Sequence, residues 1–286
     1  MLYILLSICF SVTVSVLLKL AKRYHIDVLQ AITWNYFAAI LLTWFIYKPQ
    51  LQNLQAAPVY NYLTLGILLP LLFVILATSV RFSGIVRTDI AQRLSLFIPI
   101  LAAYFVFGEA LNSLKIIGIA IGFAAIICSI PWQKGRGSAA SGSWFYLLIV
   151  FVGMGIIDVL FKQLSAFQAV SYTTSLFVVF VLAFICSFIG LLIKIARKKT
   201  RFSWPHILIG GVLGIVNFGN ILFYLKAHRA LANHPSTVFS AMNIGVIVLG
   251  TFVGLFIFKE KLSTLNKIGV FLALLAIIVI TYSTKI

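Results

Sequence analysis

The sequence predicts an all-α integral membrane protein whose ten transmembrane helices form two inverted five-helix repeats. The prediction rests on composition, on the spacing of apolar segments and on an internal repeat. Of the 286 residues, 62% are hydrophobic and only 9% are charged, whereas soluble domains average about 45–50% apolar and about 25% charged residues. Asp158 and Lys162 are the only charged residues between positions 144 and 193, and a soluble fold has no means of burying so much apolar surface. The composition therefore excludes a soluble globular protein.

Ten apolar windows of about twenty residues are each long enough to cross a bilayer as a helix. The segments between them are short, so no soluble domain fits between two windows. The first window lacks a basic leader and a small-residue cleavage site, and we expect it to be a retained membrane anchor rather than a signal peptide. The windows are 2–19, 28–47, 62–81, 87–107, 114–132, 144–161, 169–192, 207–225, 237–256 and 268–282.

A Gly/Ser-rich linker at 133–143 divides the chain into two parts, 1–132 and 144–286, which hold five windows each. Residues 107–118 align with residues 258–269, and six of the twelve aligned positions are identical. Because five is an odd number, the second copy must enter the bilayer from the side opposite to the first. Inverted repeats are typical of transporters that expose a central site to each side of the membrane in turn. A duplication that only enlarges a helix bundle is the alternative interpretation.

The repeated segment reads Phe-x-Glu-x-Leu. It places Glu109 and Glu260 at the end of the fourth window of each half, and Gly118 or Gly269 follows where the next window opens. Together with Pro99 in the fourth window, this pattern resembles the EamA family of the drug/metabolite transporter superfamily over essentially the whole chain. The resemblance implies secondary transport, often export, of amino acids or other small metabolites through a cavity between the halves. It does not imply one particular substrate, because such scaffolds change their cargo.

The two copies differ at the residue before the glutamate, which is Gly108 in the first copy and Lys259 in the second. We expect both glutamates to be structural. A carboxylate at that place can cap the helix that follows it, because helix N-termini carry free N–H groups and partial positive charge.

The net charge of +17, from 22 Lys+Arg against 5 Asp+Glu, indicates membrane headgroups rather than nucleic acid. The basic residues lie mainly at the ends of apolar windows, where cations face lipid headgroups and set orientation. Most of them fall in the odd-numbered loops, which predicts that these loops are cytoplasmic and that both termini are periplasmic. The EamA resemblance implies the opposite orientation, with both termini inside.

Charged side chains at lipid depth are costly and usually face a bundle interior or a water-filled cavity. Arg93 lies about 9 Å along the fourth window, where its guanidinium can bind a substrate carboxylate. A local pair with Asp89, one turn earlier, is the alternative. Asp158 in the sixth window is a candidate for proton coupling, and so is Asp89. An interfacial ion pair with Lys162 is the alternative interpretation of Asp158.

Uncharged polar residues in the windows are candidates for substrate binding, although interhelical hydrogen bonding alone would also explain them. Trp34, Asn35 and Tyr36 form a polar-aromatic cluster in the second window, for which an interfacial aromatic belt is the alternative. The other candidates are Gln92, Asn217, Asn220 and Asn243. Small residues four positions apart permit close helix contact, between the halves or across a homodimer; they occur at 118/122, 269/273 and 250/254.

The sequence carries no pattern typical of catalysis or of cofactor binding. Its four histidines are dispersed without metal-ligand spacing, and it has no Gly-rich nucleotide loop. The three cysteines lie inside apolar windows, which disfavours a disulfide framework. We therefore expect no enzyme, no cofactor and no metal. The expected partners are a small-molecule substrate and the bilayer of the plasma (inner) membrane, with no nucleic acid and with a homodimer left open. The competing class is a non-transporting membrane protein, such as an assembly factor, a receptor or a lipid-modifying enzyme.

Overall fold

Eleven α-helices and no strand make up the part of the chain described by the structure, a computed structural model that covers residues 1–23, 26–51, 58–83, 85–129, 143–198, 200–257, 259 and 263–283. The predicted linker at 133–143 lies outside the described residues except for Ser143, and Glu260 lies outside them too. The helices are α1 (Leu2–Arg23), α2 (Val28–Tyr47), α3 (Val59–Ser83), α4 (Ile85–Leu94), α5 (Phe97–Phe105), α6 (Ser113–Ser129), α7 (Ser143–Ala166), α8 (Tyr172–Ala196), α9 (Trp204–Ala230), α10 (Pro235–Phe256) and α11 (Thr264–Ser283).

Seven of these helices, α2, α3 and α7 to α11, are long and apolar enough to cross a membrane. Shorter apolar stretches, Leu2–Leu18 and Ser113–Cys128, lie in α1 and α6. Large apolar side chains point outward from the bundle, among them Phe45 at 72% and Ile278 at 64% exposed. Such side chains are stable against lipid and unfavourable against water. The protein is thus a multi-pass membrane protein, as its composition predicts.

The predicted fourth span, 87–107, is divided into two helices, α4 and α5. Pro99 explains the break, because a proline ring has no N–H to donate and collides with the carbonyl four residues earlier, here that of Ser95. Ser95 bonds with nearer neighbours instead. Its hydroxyl donates to the carbonyl of Gln92 at 2.6 Å, and its carbonyl accepts the N–H of Ile98 at 3.0 Å.

With α4 and α5 counted as one divided span, successive spans run in opposite directions between two ends of the bundle. We name these ends end A, where α1 begins, and end B, where α1 finishes. At end A, the start of α6 meets the end of α11 through a hydrogen bond of 3.0 Å from the Asn112 amide to the Ser283 carbonyl. Also at end A, Gln163 near the end of α7 accepts a hydrogen bond from Asn61 at the start of α3. The helix α7 therefore runs from end B to end A, opposite to α1.

The helices before residue 130 pack mainly on the helices after residue 142. The helix α1 packs on α9 and α10, while α7 packs on α3 and on the divided pair α4 and α5. Likewise α2 packs on α9 and α8 packs on α3, and two further pairs, α2 with α8 and α6 with α11, cross between the two groups. Buried apolar residues from both groups form one continuous core.

The turns that follow α5 and α10 share an unusual backbone conformation. Gly108 has φ 65° and Lys259 has φ 53°, so both lie in the left-handed region. These two positions are aligned with each other in the repeated segments and hold different residues. A lysine thus adopts the conformation that glycine adopts without steric cost.

The contact between α6 and α11 depends on close backbone approach. A Cβ added at Gly118 would lie 2.7 Å from Cγ1 and 3.2 Å from the backbone nitrogen of Ile280, and one added at Gly122 would contact Ala276 at 3.8 Å. Ala273 is fully buried. The small residues at 118/122 and 269/273 therefore serve contacts within one chain.

Gly118→Ala is expected to lower the free energy of unfolding by about 1–3 kcal/mol, because α6 must move away from the backbone of α11. The matched control is Gly250→Ala, since nothing lies within 4 Å of a Cβ there. It is expected to be neutral or to stabilise by up to about 1 kcal/mol through helix propensity. Thermal unfolding of both variants in detergent measures the difference, and equal midpoints for the two would contradict this account of the contact.

Candidate functional site

A buried ion-pair network joins the α5–α6 turn to the start of α10 at end A. The Glu109 side chain is 1% exposed and the Lys115 side chain 2% exposed, and their charged atoms are 2.7 Å apart. The other carboxylate contacts come from Ser236, whose hydroxyl donates to Oε1 and whose backbone N–H donates to Oε2, each at 2.7 Å. Nδ1 of His234 lies 3.9 Å from Oε1 of Glu109. Every carboxylate oxygen thus has a donor, which is the condition for a stable charge in a buried site.

Local sequence explains why Glu109 reaches this place. The left-handed turn at Gly108 ends α5, and the Glu109 N–H closes the turn on the carbonyl of Ala103 at 2.9 Å. Pro235 occupies the first position of α10, so the next N–H, that of Ser236, is the free donor that a cap must satisfy.

The expectation that Glu109 caps the helix that follows it, α6, is wrong, because Glu109 caps a different helix. Glu109 caps α10, and α6 is capped by Asn112, whose Oδ1 accepts the N–H of Lys115 at 2.8 Å. The reason is the chain reversal at end A, which places the start of α10 beside the end of α5. The corresponding expectation for Glu260 lies outside the described residues.

A second polar group lies deeper in the membrane, between α7 and α9. The Tyr224 hydroxyl donates to Oδ1 of Asp158 at 2.9 Å. One turn further along α9, the His228 ring lies 4.7 Å from the Tyr224 ring and 4.7 Å from the Phe239 ring of α10. His228 is fully buried, and neither of its ring nitrogens has a hydrogen-bond partner. Unpaired buried donors and acceptors are costly, which makes this imidazole a candidate functional group.

The ion pair of Asp158 with Lys162, which is the alternative interpretation of Asp158, is not formed. Lys162 donates to the carbonyl of Ala232 at 2.8 Å, in the connection between α9 and α10. In the part of the chain that the structure describes, no cation lies within ion-pair distance of Asp158.

Arg93 forms an ion pair with Asp89, which is the alternative interpretation that the sequence allows for Arg93. Nε of Arg93 lies 2.8 Å from Oδ2 of Asp89, and the two side chains are 25% and 35% exposed. Both residues are on the short helix α4. The contact occupies one of the five guanidinium donors, and binding of a substrate carboxylate by Arg93 stays a prediction.

The remaining predicted residues are distributed over several helix contacts. Asn220 accepts a hydrogen bond of 3.0 Å from Ser7 of α1, and Asn243 donates to the Phe239 carbonyl in its own helix. Asn217 is buried and Gln92 is half-buried.

Trp34 and Asn35 lie where α2 approaches α9 closely, with the Trp34 Cβ against Gly210 and the Asn35 backbone against Gly214. Trp34 Nε1 and Asn35 Oδ1 are buried without partners. Substrate binding by these two residues stays a prediction.

The sequence interpretation missed Tyr224, His228 and Lys115. Tyr224 and His228 are four residues apart in α9 and so share a helix face, a signal that was present in the sequence. Lys115 lies only six residues after Glu109. The contacts of these residues depend on how α9 meets α7 and α10 and on how the α5–α6 turn meets α10, which no local pattern encodes.

At end B, Asp27 closes the junction between α2 and α8. Its Oδ1 caps α2 by accepting the N–H of Leu29 at 2.9 Å, and Oδ2 pairs with Lys194. The neighbouring Gln30 amide donates to the Arg201 carbonyl at 2.8 Å. Burial alone would raise the pKa of the Asp27 carboxyl, but the hydrogen bonds from Lys194 and the Gln30 N–H, with the Lys194 charge, outweigh it and hold the pKa below 3.8.

A folded pKa below the ordinary value means that the Asp27 carboxylate stabilises the fold above about pH 4 and that this contribution is lost as the pH falls through the folded pKa. Asp27→Asn keeps the cap and loses the ion pair, at a cost of up to about 1 kcal/mol. Asp27→Ala loses both, at about 1–2 kcal/mol. Thermal unfolding in detergent should show that the gap between wild type and Asp27→Asn closes on acidification from about pH 6 to about pH 3. A gap that widens in acid would contradict the lowered pKa.

The other end of the same helix junction holds a cavity of about 360 Å³. At end A, Tyr47 and Lys48 finish α2, and Ser171 and Thr174 begin α8; all four line this cavity. The size is that of a pocket for a small molecule.

The chain resembles a known protein in sequence and a solved structure in fold. No family model matches the chain. One solved crystal structure of a protein superposes with a TM-score of 0.72 at 17% identity, over 99% of this chain and 96% of that chain; at this identity the likeness concerns the fold alone. A protein of Haemophilus influenzae, described as an uncharacterized protein, is 42% identical over 293 residues, which cover 99% of this chain and 98% of the relative. The chain therefore belongs to the same protein family as this Haemophilus influenzae protein.

Proposed function

We propose that the protein is a secondary-active transporter of small metabolites, amino acids foremost, that works by alternating access between two inverted five-helix halves. Asp158 is the observation that carries the proposal. A carboxyl at lipid depth is expensive and typically marks a substrate or proton pathway. It is bonded to Tyr224 rather than to a cation, and the unpaired His228 ring lies next to that tyrosine.

Inverted symmetry is supported by helix pairing and by the turns. If the halves are exchanged, the contact of α1 with α9 becomes that of α7 with α3, and the contact of α2 with α9 becomes that of α8 with α3; all four occur. The shared left-handed conformation of Gly108 and Lys259 fits the same exchange. In an EamA-like arrangement, α4 and α5 together form the fourth span of the first half and α10 the fourth span of the second.

Alternating access requires that one end be closed while the other admits substrate. The junction of α2 with α8 is closed at end B by Asp27 and Lys194 and holds a cavity at end A. The divided fourth span resembles the broken helices on which transporters build their sites. These contacts support a state of the proposed cycle that is open towards end A at this junction.

We further propose the plasma (inner) membrane as the location, with end A periplasmic and the 194–201 loop cytoplasmic, as the charge distribution favours. Labelling of single-cysteine variants in intact cells with an impermeant reagent tests this orientation. Cysteine at Lys198 should stay unlabelled, and cysteine at Ala232 in the α9–α10 connection should be labelled. The reverse pattern would show both termini inside.

Transport by purified protein in liposomes is the deciding experiment. Liposomes should accumulate at least one member of a panel of labelled amino acids and organic acids when a pH or voltage gradient is imposed, and protein-free liposomes should not. If no compound moves under either gradient, the protein belongs to the non-transporting class.

A further inference from the structure

The junction of α2 with α8 carries different chemistry at its two ends. At end B the residue that caps α2 is Asp27, and its carboxylate pairs with Lys194 at the end of α8. At end A the residue that caps α8 is Ser171, which has no charge, while Lys48 stands at the end of α2. A cation is therefore present at both ends of the junction, and only end B supplies it with a carboxylate.

Two further cations, both on α9, lie against the rings of residues that line or adjoin the cavity at end A, although neither cation lines the cavity itself. The Lys226 ammonium lies 5.9 Å from the ring centre of Tyr47, which lines the cavity, and it also contacts the rings of Tyr3 and Phe223. The Arg229 guanidinium lies 4.9 Å from the ring centre of Tyr172, next to Ser171. Cation–π contacts of this kind hold a charge in place without neutralising it.

No carboxylate neutralises this cluster within the described residues. The four described acids are engaged elsewhere: Asp27 with Lys194, Asp89 with Arg93, Glu109 with Lys115 and Asp158 with Tyr224. Uncompensated positive charge that faces a concave site attracts anions and orients them.

The distribution of basic residues at end A argues against ordinary headgroup anchoring alone. Anchoring cations are spread around the outer ends of membrane helices. The described lysines and arginines of end A form two groups instead. Lys115 pairs with Glu109, and Lys162 lies over the Phe107 ring in the same turn. Lys48, Lys226 and Arg229 are grouped at the junction of α2 with α8, where Lys48 lines the cavity and the other two lie against the rings of Tyr47 and Tyr172.

We propose that the cavity between α2 and α8 at end A is a binding site for a small anion that carries a carboxylate or phosphate group. Lys48, Lys226 and Arg229 supply the charge, and the hydroxyl of Tyr47 supplies a neutral donor. The site deepens the proposed function by assigning anionic cargo to it. It also places anion recognition away from Arg93, whose guanidinium already pairs with Asp89.

Binding is tested on the full chain in detergent, with inorganic phosphate and L-glutamate as probes and chloride of equal ionic strength as the reference. A ligand that binds the folded state raises the unfolding midpoint, by an amount that grows with the logarithm of one plus its concentration over Kd. One or both probes should stabilise the wild type. The double variant Lys226→Gln/Arg229→Gln should need about tenfold more probe or higher for the same shift, since each lost charge-assisted contact contributes at that scale.

The matched control is Arg197→Gln/Lys267→Gln, which removes two cations at end B and should respond to the probes as the wild type does. The charge-retaining variant Lys226→Arg/Arg229→Lys should keep the response, so that a folding defect in the glutamine variant is recognised. A glutamine variant that responds as the wild type does to both probes and to lipid overturns the proposal.

A lipid phosphate and a dissolved anion offer the same chemistry, and nanodiscs separate the two sources. In phosphatidylcholine alone, a probe response lost in the glutamine variant identifies a dissolved anion. Stabilisation that requires phosphatidylglycerol and is lost in the same variant identifies a lipid headgroup. Neither readout involves transport, so a chain that binds anions and moves no substrate would retain the site and overturn the proposed function alone.

Discussion

Glu109→Ala is expected to lower the free energy of unfolding by about 3–5 kcal/mol, the range found when one partner of a buried ion pair is removed. The change leaves the Lys115 ammonium buried without its carboxylate. It also removes the acceptor for the hydroxyl and the N–H of Ser236 at the start of α10. Denaturant unfolding of purified protein in detergent measures the loss.

Asp89→Ala is the control for this prediction, because it breaks an ion pair that is partly exposed and within one helix. Its expected cost is about 0–1 kcal/mol. Adding Lys115→Met to Glu109→Ala should recover part of the stability, since it removes the uncompensated charge. If Glu109→Ala costs no more than Asp89→Ala, the network at end A does not hold the ends of the helices together.

Asp158→Asn is expected to abolish gradient-driven accumulation of substrate, down to the level of protein-free liposomes. An amide of the same shape still accepts the hydrogen bond from Tyr224, but it cannot take up and release a proton. Exchange of labelled for unlabelled substrate at equal concentrations needs no net proton movement and should continue. The two assays are run on the same proteoliposomes, with a pH gradient in the first and none in the second.

Two further variants serve as comparisons for Asp158→Asn. Asp89→Asn removes the other predicted carboxyl and should leave accumulation intact if Asp158 alone couples transport to the gradient. Tyr224→Phe keeps the ring and removes the hydrogen bond to Asp158, and it should reduce accumulation less than Asp158→Asn does. Full accumulation by Asp158→Asn would show that coupling does not pass through this carboxyl.

The sequence predicts helices well where apolar length decides them. The window 28–47 coincides with α2, and the window 62–81 lies inside α3. The prediction from sequence fails at the fourth span. An apolar window shows that a segment can lie in the membrane, but it does not show whether the helix continues through Pro99. The number of residues in lipid depends on composition, while the path of the backbone depends on individual hydrogen bonds.

The candidate site was predictable only in its parts. Asp158 stands out by its charge in an apolar helix, but the partner that replaces Lys162 is Tyr224, 66 positions further along the chain. Glu109 stands out by its repeated motif, but it caps a helix that begins 126 positions later, at Pro235. Cross-chain partners of this kind follow from how helices associate, and a single sequence read for local patterns holds no record of them.

The interleaved packing of the helices sets the order in which the molecule matures during synthesis. The main neighbours of α1 are α9 and α10, and those of α2 are α8 and α9. All of them leave the ribosome after the first six helices. The inner faces of α1 and α2 are small and polar, for example around Ser7 and Asn35. Until α9 has been inserted, these faces contact lipid or the insertion machinery. We therefore expect the packing of α1 and α2 to be completed late in synthesis, once α8, α9 and α10 have been inserted.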